Sequence, residues 1–200
     1  MIWLKPINDI FKFLFKDVKG PVRDFFYRAL LLFVIWKTVY LIVFLPNRLL
    51  DGPLTNLVGS QTVSILNFSH RTTSFTSSPF VSKKFFEGQL IESNVSRITF
   101  NNFKVMHIAD GCNGLELFVL YIGFILLLPS TLKRKVLYIL SGVIIIHLAN
   151  LIRCAGLATI EIYIQSYFEF AHHYVFKIII YGTIFLLWMC YARKLSFKID

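Results

Sequence analysis

Apolar residues gather into three long runs, over 23–45, 136–153 and 174–192, and a shorter one over 112–129 that starts in a polar, glycine-containing turn. A helix rises roughly 1.5 Å per residue, so about 20 apolar residues cross the hydrocarbon core of a bilayer. The long runs meet that length. The short one does so only when its first turn includes Cys112 and its last reaches Pro129. The pattern predicts an all-α polytopic membrane protein with about four transmembrane helices.

Between the runs the pattern changes. Over 1–22, Ile7, Ile10, Phe11 and Leu14 repeat at i, i+3, i+4, i+7, with Lys5, Lys12, Lys16 and Lys19 among them. This predicts a cytoplasmic amphipathic helix lying on the membrane surface and broken by Pro21, rather than a removable signal. The segment 46–111 opens with turn residues and is rich in Ser and Thr from Ser60 to Ser82, which predicts extended structure. Val95, Ile98 and Phe100, then Phe103, Val105 and Ile108, flank Asn101-Asn102 and predict a β-hairpin running into Asp110-Gly111-Cys112. A turn at 130–135, a second loop at 154–173 and a tail at 193–200 complete the expected organisation.

Composition sharpens this reading. Hydrophobic residues make up 56% of the chain and charged ones 16%, against about 25% charged in soluble domains. The net charge of +10 is distributed as membrane topology: basic clusters precede the first run, fill the Lys133-Arg134-Lys135 turn and follow the last run, whereas 154–173 carries no Lys or Arg. By the positive-inside rule these clusters are cytoplasmic, and 46–111 and 154–173 face outward. No zinc-ligand, RNA-binding or helix-turn-helix pattern supports nucleic-acid binding.

The polar minority in the apolar half carries the candidate chemistry. If Asp110 caps the next helix, Cys112 lies in its first turn, where the helix dipole favours a thiolate. His147, Asn150 and Arg153 recur every three residues, with Cys154 next, along one helical stripe. Arg153 then comes at the outer end of its helix, at the depth of Cys112, and His172 and His173 sit just before the last run. A thiol, an arginine and a histidine on one membrane face suit acyl transfer through a thioester. The histidine moves the proton and the arginine neutralises the oxyanion. Asn113, Glu116 and Asn150 are possible supporting residues, Glu116 as an orienting group or a partner of Arg153.

Cys112-Asn113-Gly114-Leu115, Asn150-Leu151-Ile152-Arg153 and Ala171-His172-His173-Tyr174 resemble, in order and spacing, the cysteine, arginine and histidine blocks of the exosortase/archaeosortase family, over roughly 105–192. The chain looks most similar to the short exosortase F-like branch. The resemblance implies a multi-pass enzyme of the bacterial inner membrane with an extracytoplasmic active site. It implies Cys112 as nucleophile, Arg153 as the orienting or transition-state cation, and His172, or alternatively His173, as acid/base. The implied partners are the lipid bilayer and secreted proteins that end in a short motif, a transmembrane helix and a basic tail. Those proteins would be cleaved and passed to water, a lipid or a glycan.

Other readings weigh against this one. Cys190 has no chemical context, and Cys154 is placed so that a disulfide to Cys112 is conceivable. His147 reads as a packing hydrogen-bond donor and Lys177 as an interfacial anchor. No cofactor or metal is expected: adjacent His172 and His173 cannot turn both rings to one ion on a helix, and His70 and His107 lie in the loop. From other classes, the chain reads as a small transporter subunit or a non-enzymatic envelope assembly factor.

Overall fold

A computed structural model describes residues 20–86 and 89–193; the surface helix expected over residues 1–19 and the tail beyond 193 lie outside them. Helix α1, Gly20–Val39, is apolar on every side, with Leu31, Phe33, Ile35 and Leu41 exposed along it and its π-turn extension, as a lipid-facing helix must be. Pro21 lies within α1, and the helix that it was expected to end falls outside the described residues. A π turn, Tyr40–Phe44, and a short last turn follow, and Arg48 closes them in the left-handed region at φ 48°.

The Ser/Thr-rich stretch departs from expectation in its first part, whereas 75–82 is extended as expected. Residues Asp51–His70 form a 20-residue helix, α2, where extended structure was expected as far as Ser82. The reason lies in a stripe of Asp51, Thr55, Val58, Thr62 and Leu66, all buried and spaced by three and four residues. Its period is helical but largely polar, so hydrophobicity alone does not reveal it. Gly59 lets α2 approach Ser96 so closely that an added Cβ would collide with its hydroxyl.

Strands β1 (Phe75–Phe86), β2 (Gln89–Phe100) and β3 (Phe103–Ala109) form an antiparallel sheet in sequence order. The expected hairpin is there. Asn101 and Asn102 both have positive φ, 49° and 67°, the conformation of a two-residue turn whose twist matches its strands. Helix α2 packs on this sheet.

Helix α3, Leu115–Leu127, α4, Leu132–Tyr163, and α5, Phe176–Arg193, form the rest. Among the described residues three helical stretches are long and apolar enough to cross a membrane: 23–44, 132–163 and 165–193. The run at 112–129 gives a helix of 13 residues, about 20 Å long, because Gly114 starts it late and Leu128, extended before Pro129, ends it. The loop expected at 154–173 is another correction. Helix α4 continues ten residues past Arg153 because Cys154, Ala155, Leu157 and Ala158 are buried against α2 and the sheet.

Two cores result. One joins α2, the sheet and the C-terminal half of α4 through Val58, Leu66, Ile98, Ile108, Leu151 and Ala158. The other joins α3, α4 and α5 through Tyr121, Ile125, Ile146, Ile180 and Ile184. Helix α4 runs through both, and the cysteine turn sits where they meet.

Candidate active site

Cys112 ends a single 3-10 turn, Asp110–Cys112, and lies three residues before α3. It is therefore not in the first turn of that helix, and a helix dipole acting on its sulfur is not the local physics. Gly114 makes the break, because its φ of 92° belongs to the left-handed region that side chains resist. Asn113 Oδ1 accepts the Leu115 N–H at 2.8 Å and so takes the capping role expected of Asp110.

The turn is pinned from two sides. Asn150 of α4, fully buried, donates its Nδ2–H to the Cys112 carbonyl at 3.0 Å. On the other side, the buried Asn113 side chain donates to Asp51 Oδ1 at 2.9 Å and to Thr55 Oγ1 at 3.3 Å. Tyr40 donates to Asp51 Oδ2 at 2.7 Å. Asp110 accepts from Thr55 at 2.8 Å and from Arg48 at 2.6 and 3.1 Å, a two-point guanidinium–carboxylate pair. Leaving one such buried group without its partner costs about 1–3 kcal/mol, so the turn's position is strongly specified.

Against this frame, Arg153 Nη2 lies 3.5 Å from Cys112 Sγ and Nη1 lies 3.5 Å from Asn150 Oδ1. Arg153 Nε is buried and without a partner among the described residues. The guanidinium is thus held beside the sulfur by long contacts and keeps a spare donor. Arg153 lies well inside α4 rather than at its end.

The histidines stand on the next element. A π turn, Ala171–Val175, carries both. The half-buried His172 ring stacks on Phe168 at 5.8 Å and lies in electrostatic range of Arg153 and Lys177. His173 pairs with Glu169 at 3.0 Å. Among the described residues no hydrogen bond joins either imidazole to Cys112; Arg153 is the group both sides share.

Other residues fall elsewhere. Glu116 pairs with Lys37 of α1 at 3.0 Å, not with Arg153. His147 hydrogen-bonds Gln61 of α2 at 2.7 Å, the packing role its position suggested. All three cysteines are free, so Cys112 and Cys154 are not bridged. The residues that sequence reading missed are Tyr40, Arg48, Asp51 and Thr55. For Asp51 and Thr55 the signal was the three- and four-residue spacing of the stripe that starts at Asp51; Tyr40 and Arg48 had none.

An apolar cavity of about 730 Å³ opens between α1, α3 and α5. Its walls are residues such as Leu32, Trp36, Leu120 and Ile180, and its polar end holds Gly111, Gly114, Arg153, Lys177 and the Lys37–Glu116 pair. The slot thus joins apolar walls to a thiol-bearing turn and a guanidinium, and it lies among the helices of a polytopic membrane protein. The chain matches the transmembrane exosortase (EpsH) family over residues 25–190, and it belongs to that family. It matches no curated protein and no solved structure.

Proposed function

We propose that this exosortase-family protein is a membrane cysteine peptidase or transpeptidase that cleaves the C-terminal sorting signal of secreted proteins. The observation that carries this reading is the 3.5 Å approach of Arg153 Nη2 to Cys112 Sγ at the polar end of the apolar cavity. The substrate's transmembrane helix lies in the slot beside α1, and its extended motif crosses the cysteine turn.

In the reaction, His172, or in its place His173, takes the thiol proton of Cys112, and the sulfur attacks the scissile carbonyl carbon. Arg153, whose Nη2 lies beside the sulfur, holds the resulting oxyanion through its guanidinium, where a fixed positive charge stabilises it most. The carbonyl reforms, the C–N bond breaks, and the histidine returns the proton to the leaving amine. Water, a lipid or a glycan then attacks the thioester and frees the thiol. Asn150 and Asn113 position the turn through its backbone and side-chain bonds.

The basic residues Lys133, Arg134 and Lys135 sit in the first turn of α4, about 27 Å along the helix from Arg153. That supports an active site on the extracytoplasmic face of the inner membrane. The deciding experiment compares the masses of secreted proteins with the predicted tail in cells with and without the enzyme. Loss of the tail only when Cys112 is present supports the reading; identical masses sink it.

A further inference from the structure

Glu169, His172 and His173 form a donor cluster that the proposed chemistry uses only in part. On a regular α-helix, neighbouring side chains diverge by about 100°, which is why two adjacent histidines do not suggest a metal site. Here the chain passes through a π turn, Ala171–Val175, whose wider i→i+5 coil changes the angle between neighbours. The imidazole centroids are 4.9 Å apart, and His173 Nε2 is 3.0 Å from Glu169 Oε2. One donor atom from each of the three residues lies within 4.8 Å of the others. The three donor groups are thus neighbours, although two of them are adjacent in the chain.

Two imidazole nitrogens and one carboxylate oxygen suit borderline divalent ions, which bind them at roughly 2.0–2.2 Å and leave further positions open. The present spacing is wider than that geometry, and the exposed side chains of Glu169 and His173 are free of packing that would stop them closing on an ion. Arg153 and Lys177 face His172 from α4 and α5 and oppose a second cation, and Glu169 is the carboxylate that offsets them.

We propose that Glu169, His172 and His173 bind a divalent transition-metal ion of the zinc class, and that filling the site halts proton transfer by His172. The regulatory half rests on the reading of His172 as acid/base. The binding half does not. A bound ion occupies the imidazole lone pair that would otherwise accept the Cys112 proton, and no covalent bond changes.

The test uses the full chain in detergent micelles, in the Cys112→Ser background so that the thiol cannot ligate. Zn²⁺ is titrated by calorimetry and Co²⁺ by its visible absorption. One ion per chain is expected, with binding weakened about tenfold or more in Glu169→Gln and in His173→Ala. With Cys112 restored, Zn²⁺ should stop substrate processing at the concentration that fills the site, and a chelator should restore it. Absence of saturable binding, or binding unchanged in both variants, overturns the site. Full processing at saturating Zn²⁺ overturns the switch. A chain that binds zinc but never processes substrate supports the site and overturns the functional reading instead.

Discussion

Arg153 Nη2 and Cys112 Sγ lie 3.5 Å apart although 41 positions separate them in the chain. The contact joins the 32-residue helix α4 to an irregular turn, and the two are kept in place by Asn150, which bonds the turn's backbone at 3.0 Å one helical turn from Arg153. Nearly all the chemistry proposed for this protein depends on that one junction.

Cys112→Ala and Cys112→Ser should insert in the membrane normally and lose processing by about 10³-fold or more, as expected when a nucleophile is removed. Cys190→Ala, an exposed thiol far along α5, should process at the wild-type rate. Mass spectrometry of a substrate protein reads both; an active Cys112→Ala would refute the thioester.

Arg153→Ala should lower turnover by about 10²–10³-fold, the usual loss of an oxyanion donor. Arg153→Lys should recover part of it, because the charge is restored but the planar fork is not. Thermal unfolding in detergent should change little, since the guanidinium's described contacts are both long. A large fall in stability with turnover preserved per folded molecule would assign Arg153 to structure alone.

His172→Ala should abolish processing and His173→Ala should leave most of it, because His172 is the half-buried ring stacked on Phe168 while His173 is exposed and paired with Glu169. Single-turnover kinetics on both variants decides between them. The reverse result moves the acid/base to His173.

Asn113→Ala strands the buried Asp51 carboxylate oxygen that it contacts at 2.9 Å. A loss of about 1–3 kcal/mol in stability is expected, together with slower processing as the cysteine turn loosens. Asp51→Asn keeps the shape and should cost less. Unfolding midpoints and initial rates, measured side by side, test this; unchanged values for Asn113→Ala would mean the network does not hold the turn.

Val119→Trp places a large ring in the walls of the apolar cavity and should raise the substrate concentration needed for half-maximal processing by about tenfold or more. Alkylation of Cys112 by a small maleimide should stay at the wild-type rate. Equal effects on both readouts would mean that the slot does not hold the substrate helix.

Much of the architecture was legible because lipid imposes a simple rule: long apolar runs become helices when no water is present to satisfy the backbone. That rule located α1, α4 and α5, and the Asn-Asn turn located the hairpin. It failed for α2, whose buried stripe carries Asp51 and Thr55, residues that bury only because each meets partners from elsewhere in the chain. It also failed past Arg153, where α4 continues because α2 and the sheet cover residues 154–158.

The sequence by itself determined the membrane class, the family and the three blocks containing Cys112, Arg153 and His172, because hydrophobic length and local motifs are properties of contiguous residues. Only the tertiary structure decided what surrounds the sulfur. It replaced a supposed helix dipole with an arginine, assigned Glu116 to Lys37, and recruited Tyr40, Arg48, Asp51 and Thr55 to the turn. Those are contacts between distant segments, fixed by which buried polar groups find partners, and no local pattern encodes them.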